Sequence, residues 1–343
     1  MEKSLTEVFM KRFALLLAAV CLIGLFGVFS ACNESNDRSS YETVPVLQDT
    51  RPETEQMNTF TTLNGNEVTY NMNTRRIVAV ACAGDLAAFG IRPLAVSGYT
   101  ITEGYESFFE GVELLEENQP FDPEEILSYR PELILVNQLM DQRNIERLEE
   151  IAPVIPLWRE SYDFEQRLSY IGEIFGLTEN AQTLIEFAEA TQKESLEEIR
   201  ALGIENKTVS VFYYGNNGVS VPPMDYWYFN KILYDYLGLK QLDVTKEFLD
   251  DPNNTPFSPI SNEVLRRYEG DIVIYADVMS SVFGAGPSVP EQLTLNPGWR
   301  SLKAVQEDRV GLLDGMLYAD KDVLYLRAQY DGILAALRQG MAE

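Results

Sequence analysis

Glu124-Glu125-Ile126-Leu127-Ser128-Tyr129-Arg130-Pro131-Glu132-Leu133-Ile134-Leu135-Val136 and Glu263-Val264-Leu265-Arg266-Arg267-Tyr268-Glu269-Gly270-Asp271-Ile272-Val273-Ile274-Tyr275 read in one register. Glu124 falls on Glu263, Ile126 on Leu265, Tyr129 on Tyr268 and Glu132 on Asp271, and the apolar run 133–136 falls on 272–275. Each stretch is an acid, a short amphipathic turn, a second acid and a buried strand. A unit used twice in one chain points to two similar lobes, each with an outward carboxylate at the corresponding place. Helix-then-strand is also the commonest α/β unit, so one match of this kind can arise by chance.

Working outward, the first unit sits in a series of short apolar runs and short helices. Asn64-Gly65 marks a hairpin. Ile77–Ala81, Leu94–Tyr99, Leu133–Val136 and Val154–Leu157 read as strands; 85–90, 123–128 and 144–151 read as helices. Strands that are apolar throughout and alternate with helices imply a parallel sheet covered on both faces. Asp163–Gly176 has helical spacing. Thr178 then reads as an N-cap, and Glu179–Leu202 runs without Pro or Gly until Gly203 stops it. The second unit sits in a similar series: a strand at Thr208–Tyr213, a helix over 231–237 ended by Gly238, a strand at 310–313 and a helix over 321–338. The expected fold class is α/β, with two lobes of mostly parallel sheet joined by one long α-helix and a ligand cleft between the lobes.

The N-terminus reads as an export signal. Lys11 and Arg12 precede the uncharged apolar stretch 13–29, Ser30-Ala31-Cys32 closes it, and the chain turns polar at once. That is shorter than the ~20 apolar residues of a spanning helix. The cysteine resembles that of a bacterial lipobox, with Phe29 in place of the usual Leu, which makes Cys32 the candidate lipidation site. A plain signal peptide and an uncleaved anchor are the alternatives, and Met10 offers a second start. The expected organisation is a lipoprotein signal peptide over 1–31, a flexible tether rich in Ser, Thr, Glu, Pro and Gln over 32–59, an N-terminal α/β lobe over 60–178, the interlobe helix over 179–203 and a C-terminal α/β lobe over 204–343.

Composition narrows the chemistry. The chain has no histidine, which removes Ser-His-Asp and Cys-His catalysis, His-ligated zinc and His-ligated haem. It holds 27 basic and 53 acidic side chains, a net charge of −26. Removing 1–31 takes three basic and two acidic residues and leaves −27. Such a surface repels nucleic acid and anionic lipid. Besides Cys32, Cys82 alone remains after cleavage, so no internal disulfide is expected, and Cys82 reads as a small buried residue.

Four stretches carry a family resemblance: Thr74-Arg75-Arg76-Ile77-Val78-Ala79-Val80, Leu86-Ala87-Ala88-Phe89-Gly90-Ile91-Arg92-Pro93-Leu94-Ala95-Val96, Asp122-Pro123 running through the first quoted unit, and Asn296-Pro297-Gly298-Trp299-Arg300-Ser301-Leu302-Lys303-Ala304-Val305-Gln306-Glu307-Asp308-Arg309-Val310. In order and spacing they resemble the substrate-binding lipoproteins of ferric-siderophore and cobalamin ABC importers, from about Asn73 to the C-terminus. The resemblance implies a non-enzymatic, monomeric protein that is lipid-anchored outside the cytoplasm and delivers its ligand to a membrane permease. It implies that Glu124 (with Glu125 as fallback) and Glu263 dock permease arginines, and that Trp299 packs structurally. Two charge-assisted contacts of this kind set orientation more than affinity.

Ligand-facing residues are expected at the carboxyl ends of the strands. Those loops hold Ala83-Gly84-Asp85, Tyr99, Asn137, Gln138, Trp158, Arg159, Tyr213, Tyr214, Tyr226, Trp227, Tyr228, Asp277 and Tyr318, with Arg143 after the third strand. The ligand-binding candidates are Tyr99, Gln138, Arg143, Trp158, Arg159, Tyr213, Tyr214, Tyr226, Trp227 and Tyr318. Large amphipathic rings suit a bulky chelate, and the fork of Arg159 suits chelating oxygens. Strand aromatics also serve commonly as core. No cofactor and no protein-held metal is expected, because iron would arrive inside its organic complex. The acidic balance and sparse basic residues favour a weakly charged hydroxamate complex. Cobalamin is the alternative within the family. A lipid-anchored hydrolase using Glu124 and Glu263 as an acid pair is the alternative outside it.

Overall fold

Asn64-Gly65 closes a hairpin. Strands β1 (Met57–Thr61) and β2 (Glu67–Asn71) pair antiparallel with Thr61 opposite Glu67, and Gly65 takes φ +81°. The structure is a computed structural model that describes residues 44–97, 105–116, 122–137, 140–157, 163–215, 218–222, 228–251, 253–254, 258–278, 287–318 and 321–341.

Five strands form the first main sheet: β3 (Ile77–Ala79), β4 (Ala95–Ser97), β5 (Glu113–Leu115), β6 (Leu133–Asn137) and β7 (Val154–Leu157). Their order is β5-β4-β3-β6-β7 and every pairing is parallel. The second sheet has β8 (Val209–Gly215), β9 (Gly218–Ser220), β10 (Ile272–Asp277) and β11 (Val310–Asp314) in the order β11-β10-β8-β9. Only its β8–β9 edge is antiparallel. The sequence reading missed β5 and β9, which are three-residue edge strands too short to show a period.

The quoted units occupy matching places in the two sheets. Leu133 pairs with Ile77 of β3, and Ile272 pairs with Val209 of β8. The second acid of each unit does the same work. Glu132 accepts a hydrogen bond from the Thr74 hydroxyl at 2.6 Å, and Asp271 accepts from the Thr208 hydroxyl at 3.0 Å and the Thr208 amide at 2.9 Å. Each carboxylate ties the entry of its own strand to the entry of the neighbouring strand. The turns differ: α2 (Pro123–Ser128) is α-helical after α1 (Ala83–Ala88), whereas Leu265–Tyr268 is a tighter 3₁₀ turn. Asp122 caps α2 by accepting the Glu124 amide, and Pro123 suits its first turn.

Among the described residues, the remaining α-helices of five or more residues are α3 (Gln142–Glu149), α4 (Phe164–Phe175), α5 (Thr178–Ala201), α6 (Asp243–Asp250), α7 (Pro297–Ser301) and α8 (Leu326–Met341). Helix α5 is the long element expected between the units, with Leu177 rather than Thr178 at its cap position. The segment expected as one helix over 321–338 is a 3₁₀ turn, Val323–Tyr325, followed by α8. Lys231–Tyr236 is a π-helical turn that runs on from Tyr228–Asn230.

Contacts group Glu42–Glu343 as one compact unit. One face of each sheet feeds a shared apolar core: Ile77, Leu133 and Ile155 from the first, Val209, Ile272 and Leu313 from the second, with α1, α4, α5 and α8 between them. The outer faces have their own clusters, around Ile134 and Val154 in one case and Phe212, Val273 and Trp299 in the other. Trp299 is buried edge-on to Phe212 and Tyr275, the packing role expected of it.

The tether expected over 32–59 needs correction from residue 44 onward. Val44 and Arg51 are buried. Leu47 donates its amide to Ala88, and Arg51 bonds Asp49 and the carbonyls of Met72 and Thr74 while its guanidinium lies 4.6 Å from the Phe175 ring centre. This strap packs in the fold because Val44 and Leu47 join the apolar core and its one arginine is satisfied by a carboxylate and two carbonyls.

Candidate functional site

Each main sheet changes direction beside the strand that comes first in the chain. From β3 the chain moves out to β4 and β5, then returns to β6 on the other flank; from β8 it moves to β9, then returns to β10. The carboxyl ends at such a switch point open the crevice where α/β folds hold ligands. In the first sheet this edge is the start of α1 and the end of β6. In the second it is the ends of β8 and β10.

The sequence-derived site residues divide into three groups. Tyr99, Gln138, Trp158, Arg159, Tyr226 and Trp227 lie outside the described residues, as does Cys32. Tyr214 is half-buried at the end of β8, and Arg143 is exposed in the first turn of α3. Tyr213 and Tyr318 are 3 % and 1 % exposed. Tyr318 donates its hydroxyl to the Gln329 carbonyl at 2.7 Å and stands edge-on to Phe229, so its ring belongs to the core rather than to an open cleft wall. Tyr228 is likewise buried, packed edge-on to Tyr236. Burial pushes its phenol well above the usual range, so it stays neutral. Asp277 is buried and accepts the Ser288 amide at 2.8 Å.

The two outward carboxylates are where the duplication puts them. Glu124 is exposed in the first turn of α2, and Glu263 is exposed just before the 3₁₀ turn. Each stands nine positions before the first residue of its paired strand, β6 or β10. Glu124 opens the helix that leads back to the start of β6, and Glu263 opens the matching turn ahead of β10. Glu125 is committed elsewhere: its Oε1 accepts the Glu116 amide at 3.0 Å and pins the end of β5. Ser261 donates its hydroxyl to Glu263, which holds that carboxyl below its ordinary range. Glu263 therefore stays charged at neutral pH because of its added donor. Cys82 is buried with φ 58° immediately before α1, a left-handed conformation uncommon for a side chain of this kind. Among the described residues no helix is long and apolar enough to cross a membrane.

The sequence pattern of the periplasmic binding protein family matches residues 83–316, more than half of the chain. Among curated relatives, the "Iron-uptake system-binding protein" of Bacillus subtilis (strain 168) is 25 % identical over 187 residues, which cover 54 % of this chain and 56 % of that protein, so this match spans little more than half the relative's length. The "Probable siderophore-binding lipoprotein YfiY" of the same organism is 23 % identical over 299 residues, 85 % of this chain and 88 % of that one. Among solved structures, FhuD2 from Staphylococcus aureus with bound ferrioxamine B aligns with a TM-score of 0.63 and 20 % identity over 78 % of this chain and 100 % of that one. The triscatecholate siderophore binding protein FeuA from Bacillus subtilis, complexed with ferri-bacillibactin, aligns with a TM-score of 0.64 and 18 % identity over 83 % and 100 %. At these identities the structural likeness is one of fold.

Proposed function

The chain belongs to the periplasmic binding protein family, and on that premise we propose that it captures a ferric siderophore outside the cytoplasm and hands it to the permease of an ABC importer. The reading rests on one observation above the others: two mostly parallel sheets each carry an exposed carboxylate, Glu124 and Glu263, at corresponding places nine positions ahead of a central strand. A two-fold permease with paired arginines would be met at matched points, and the contacts would fix orientation. The names of the Bacillus relatives point the cargo toward iron chelates.

In this reading the ligand lies against the loop residues Tyr99, Gln138, Trp158, Arg159, Tyr226 and Trp227, with Tyr214 at the end of β8 and Arg143 at the rim. The protein supplies no iron ligand and needs no cofactor. Cys32 carries the lipid, the chain acts as a monomer held to the cell membrane, and the permease subunits are its protein partners. A net charge of −26 disfavours an anionic complex such as ferric citrate and favours a hydroxamate. The triscatecholate of the FeuA structure and cobalamin are the competing ligands.

Quenching of intrinsic fluorescence in the purified full chain, titrated with ferrioxamine B (a trihydroxamate), ferri-bacillibactin, ferric citrate and cobalamin, tests this. Ferrioxamine B is expected to bind most tightly, at least tenfold ahead of ferric citrate. The double variant Glu124→Ala/Glu263→Ala is expected to bind as the parent does while ⁵⁵Fe uptake in cells falls at least tenfold. Quenching by cobalamin alone would overturn the iron reading, and full uptake by the double variant would overturn the docking roles.

A further inference from the structure

Three buried charges meet where the two halves join. Asp85 is fully buried in the first turn of α1, Arg167 lies on α4 at 2 % exposure, and Asp322 lies at 2 % just ahead of the Val323–Tyr325 turn. Asp85 follows β3 of the first sheet, and Asp322 follows β11 of the second. Arg167 Nε donates to Asp85 Oδ2 at 2.6 Å, and Arg167 Nη2 donates to the Lys321 carbonyl. The two aspartates then exchange amides: Val323 N–H donates to Asp85 Oδ1 at 2.7 Å, and Gly84 N–H donates to Asp322 Oδ2 at 2.7 Å. Each carboxylate thus satisfies an orphan amide at the start of the other segment's turn. The approach leaves no space, since a Cβ on Gly84 would stand 2.8 Å from Asp322 Cβ and 3.0 Å from its Oδ2. Cys82 Sγ lies with the two carboxylates, their nearest atoms within 4.8 Å of one another. Arg167 already supplies the positive charge that a bound cation would bring, and the pull of both aspartates on its proton outweighs the desolvation that opposes it.

We propose that Asp85, Arg167 and Asp322 are positioning residues that latch the two sheets at one angle, and so fix the width of the crevice at their carboxyl edges. The apolar contacts around them are non-directional, so those contacts tolerate a small slide of one half over the other. The latch does not. A displacement of about an ångström lengthens both amide–carboxylate bonds past hydrogen-bond distance and pulls the guanidinium from the Lys321 carbonyl together. Three charged groups buried from solvent lose heavily when a partner is pulled away, so the energy well for the angle is narrow.

Pulsed-EPR distances between nitroxides on p-acetylphenylalanine at Glu146 on α3 and Glu247 on α6, both exposed, measure the angle in the full chain without any ligand. That readout stands whether or not the chain binds iron chelates. The parent should give one narrow distribution. Asp322→Ala should at least double its width, and Asp322→Asn, which keeps an acceptor for the Gly84 amide, should bring it back. Gly84→Ala, which keeps every charge but wedges the seam, should move the mean distance by more than the width of the parent distribution. An unchanged width in folded Asp322→Ala, or an unchanged mean in Gly84→Ala should Asp322→Ala not fold, overturns the proposal.

Discussion

Gly65 and Gly90 have nearly the same φ, +81° and +78°, in opposite surroundings. Nothing lies within 4 Å of a Cβ on Gly65, whereas a Cβ on Gly90 would run into the Leu47 carbonyl with the Asp49 amide 2.8 Å away. Gly65→Ala bears the left-handed backbone alone, about 1 kcal/mol. Gly90→Ala adds a collision with the strap over 44–51, for a total of about 3 kcal/mol. Urea melts at unchanged slope should show the Gly90 variant losing at least about twice as much stability as the Gly65 variant. Equal losses would mean that the strap is not a fixed part of the fold. The two glycines also mark what single residues tell. Asn64-Gly65 announces its turn locally, and Gly90 announces a helix end. The strap over Gly90 was unreadable, because Arg51 finds Met72, Thr74 and Phe175 far along the chain. The same holds for Tyr318, whose loop position suggested a ligand contact while its hydroxyl partner, Gln329, lies on α8.

Helix α5 shows how far an element can be read. Its extent follows from an uninterrupted run ended by Gly203 at φ +68°, and its buried stripe of Ala181, Leu184, Ile185, Ala188 and Ile199 follows from helical period. The stripe's middle was not legible. Thr191 and Ser195 are buried there, each returning its hydroxyl to the carbonyl four residues back, so polar letters hide an inward face. The N-terminal half of α5 packs on α4, and its C-terminal half meets α8 through Arg327–Glu194 and Arg338–Glu198 ion pairs. The apolar stripe should dominate. Leu184→Ala removes a fully buried side chain and should cost about 3 kcal/mol. Glu194→Ala removes a largely exposed carboxylate and leaves Arg327 its contact with Asp331, so it should cost under about 1 kcal/mol. Chemical denaturation of both variants checks the order, and a larger loss from Glu194→Ala would make the ion pairs rather than the stripe the main attachment of α5.

At the scale of the whole molecule, two similar halves invite the expectation that each folds alone. The repeat made the two parallel sheets legible, since periodicity and turn signals are local. What joins them is not local, because Asp85 meets Val323 and Gly84 meets Asp322 across 238 positions. The apolar core is equally shared: one cluster takes in Ile77 and Leu133 of the first sheet, Val209 and Ile272 of the second, and the helices between. Separating the halves would expose the inner faces of both sheets along with α4, α5 and α8, and would leave Asp85, Arg167 and Asp322 to find water or other partners. Neither half keeps a covered sheet without the other, so partial unfolding of one carries most of the cost of unfolding both. Chains of this length commonly unfold in steps, and a shared core is what suppresses them. Scanning calorimetry of the full chain without ligand should therefore show one transition for residues 44–341, with a calorimetric enthalpy matching the van't Hoff enthalpy. Two resolved peaks, or a calorimetric enthalpy near twice the van't Hoff value, would mean that the halves melt separately and that the seam is a docking contact rather than a common core.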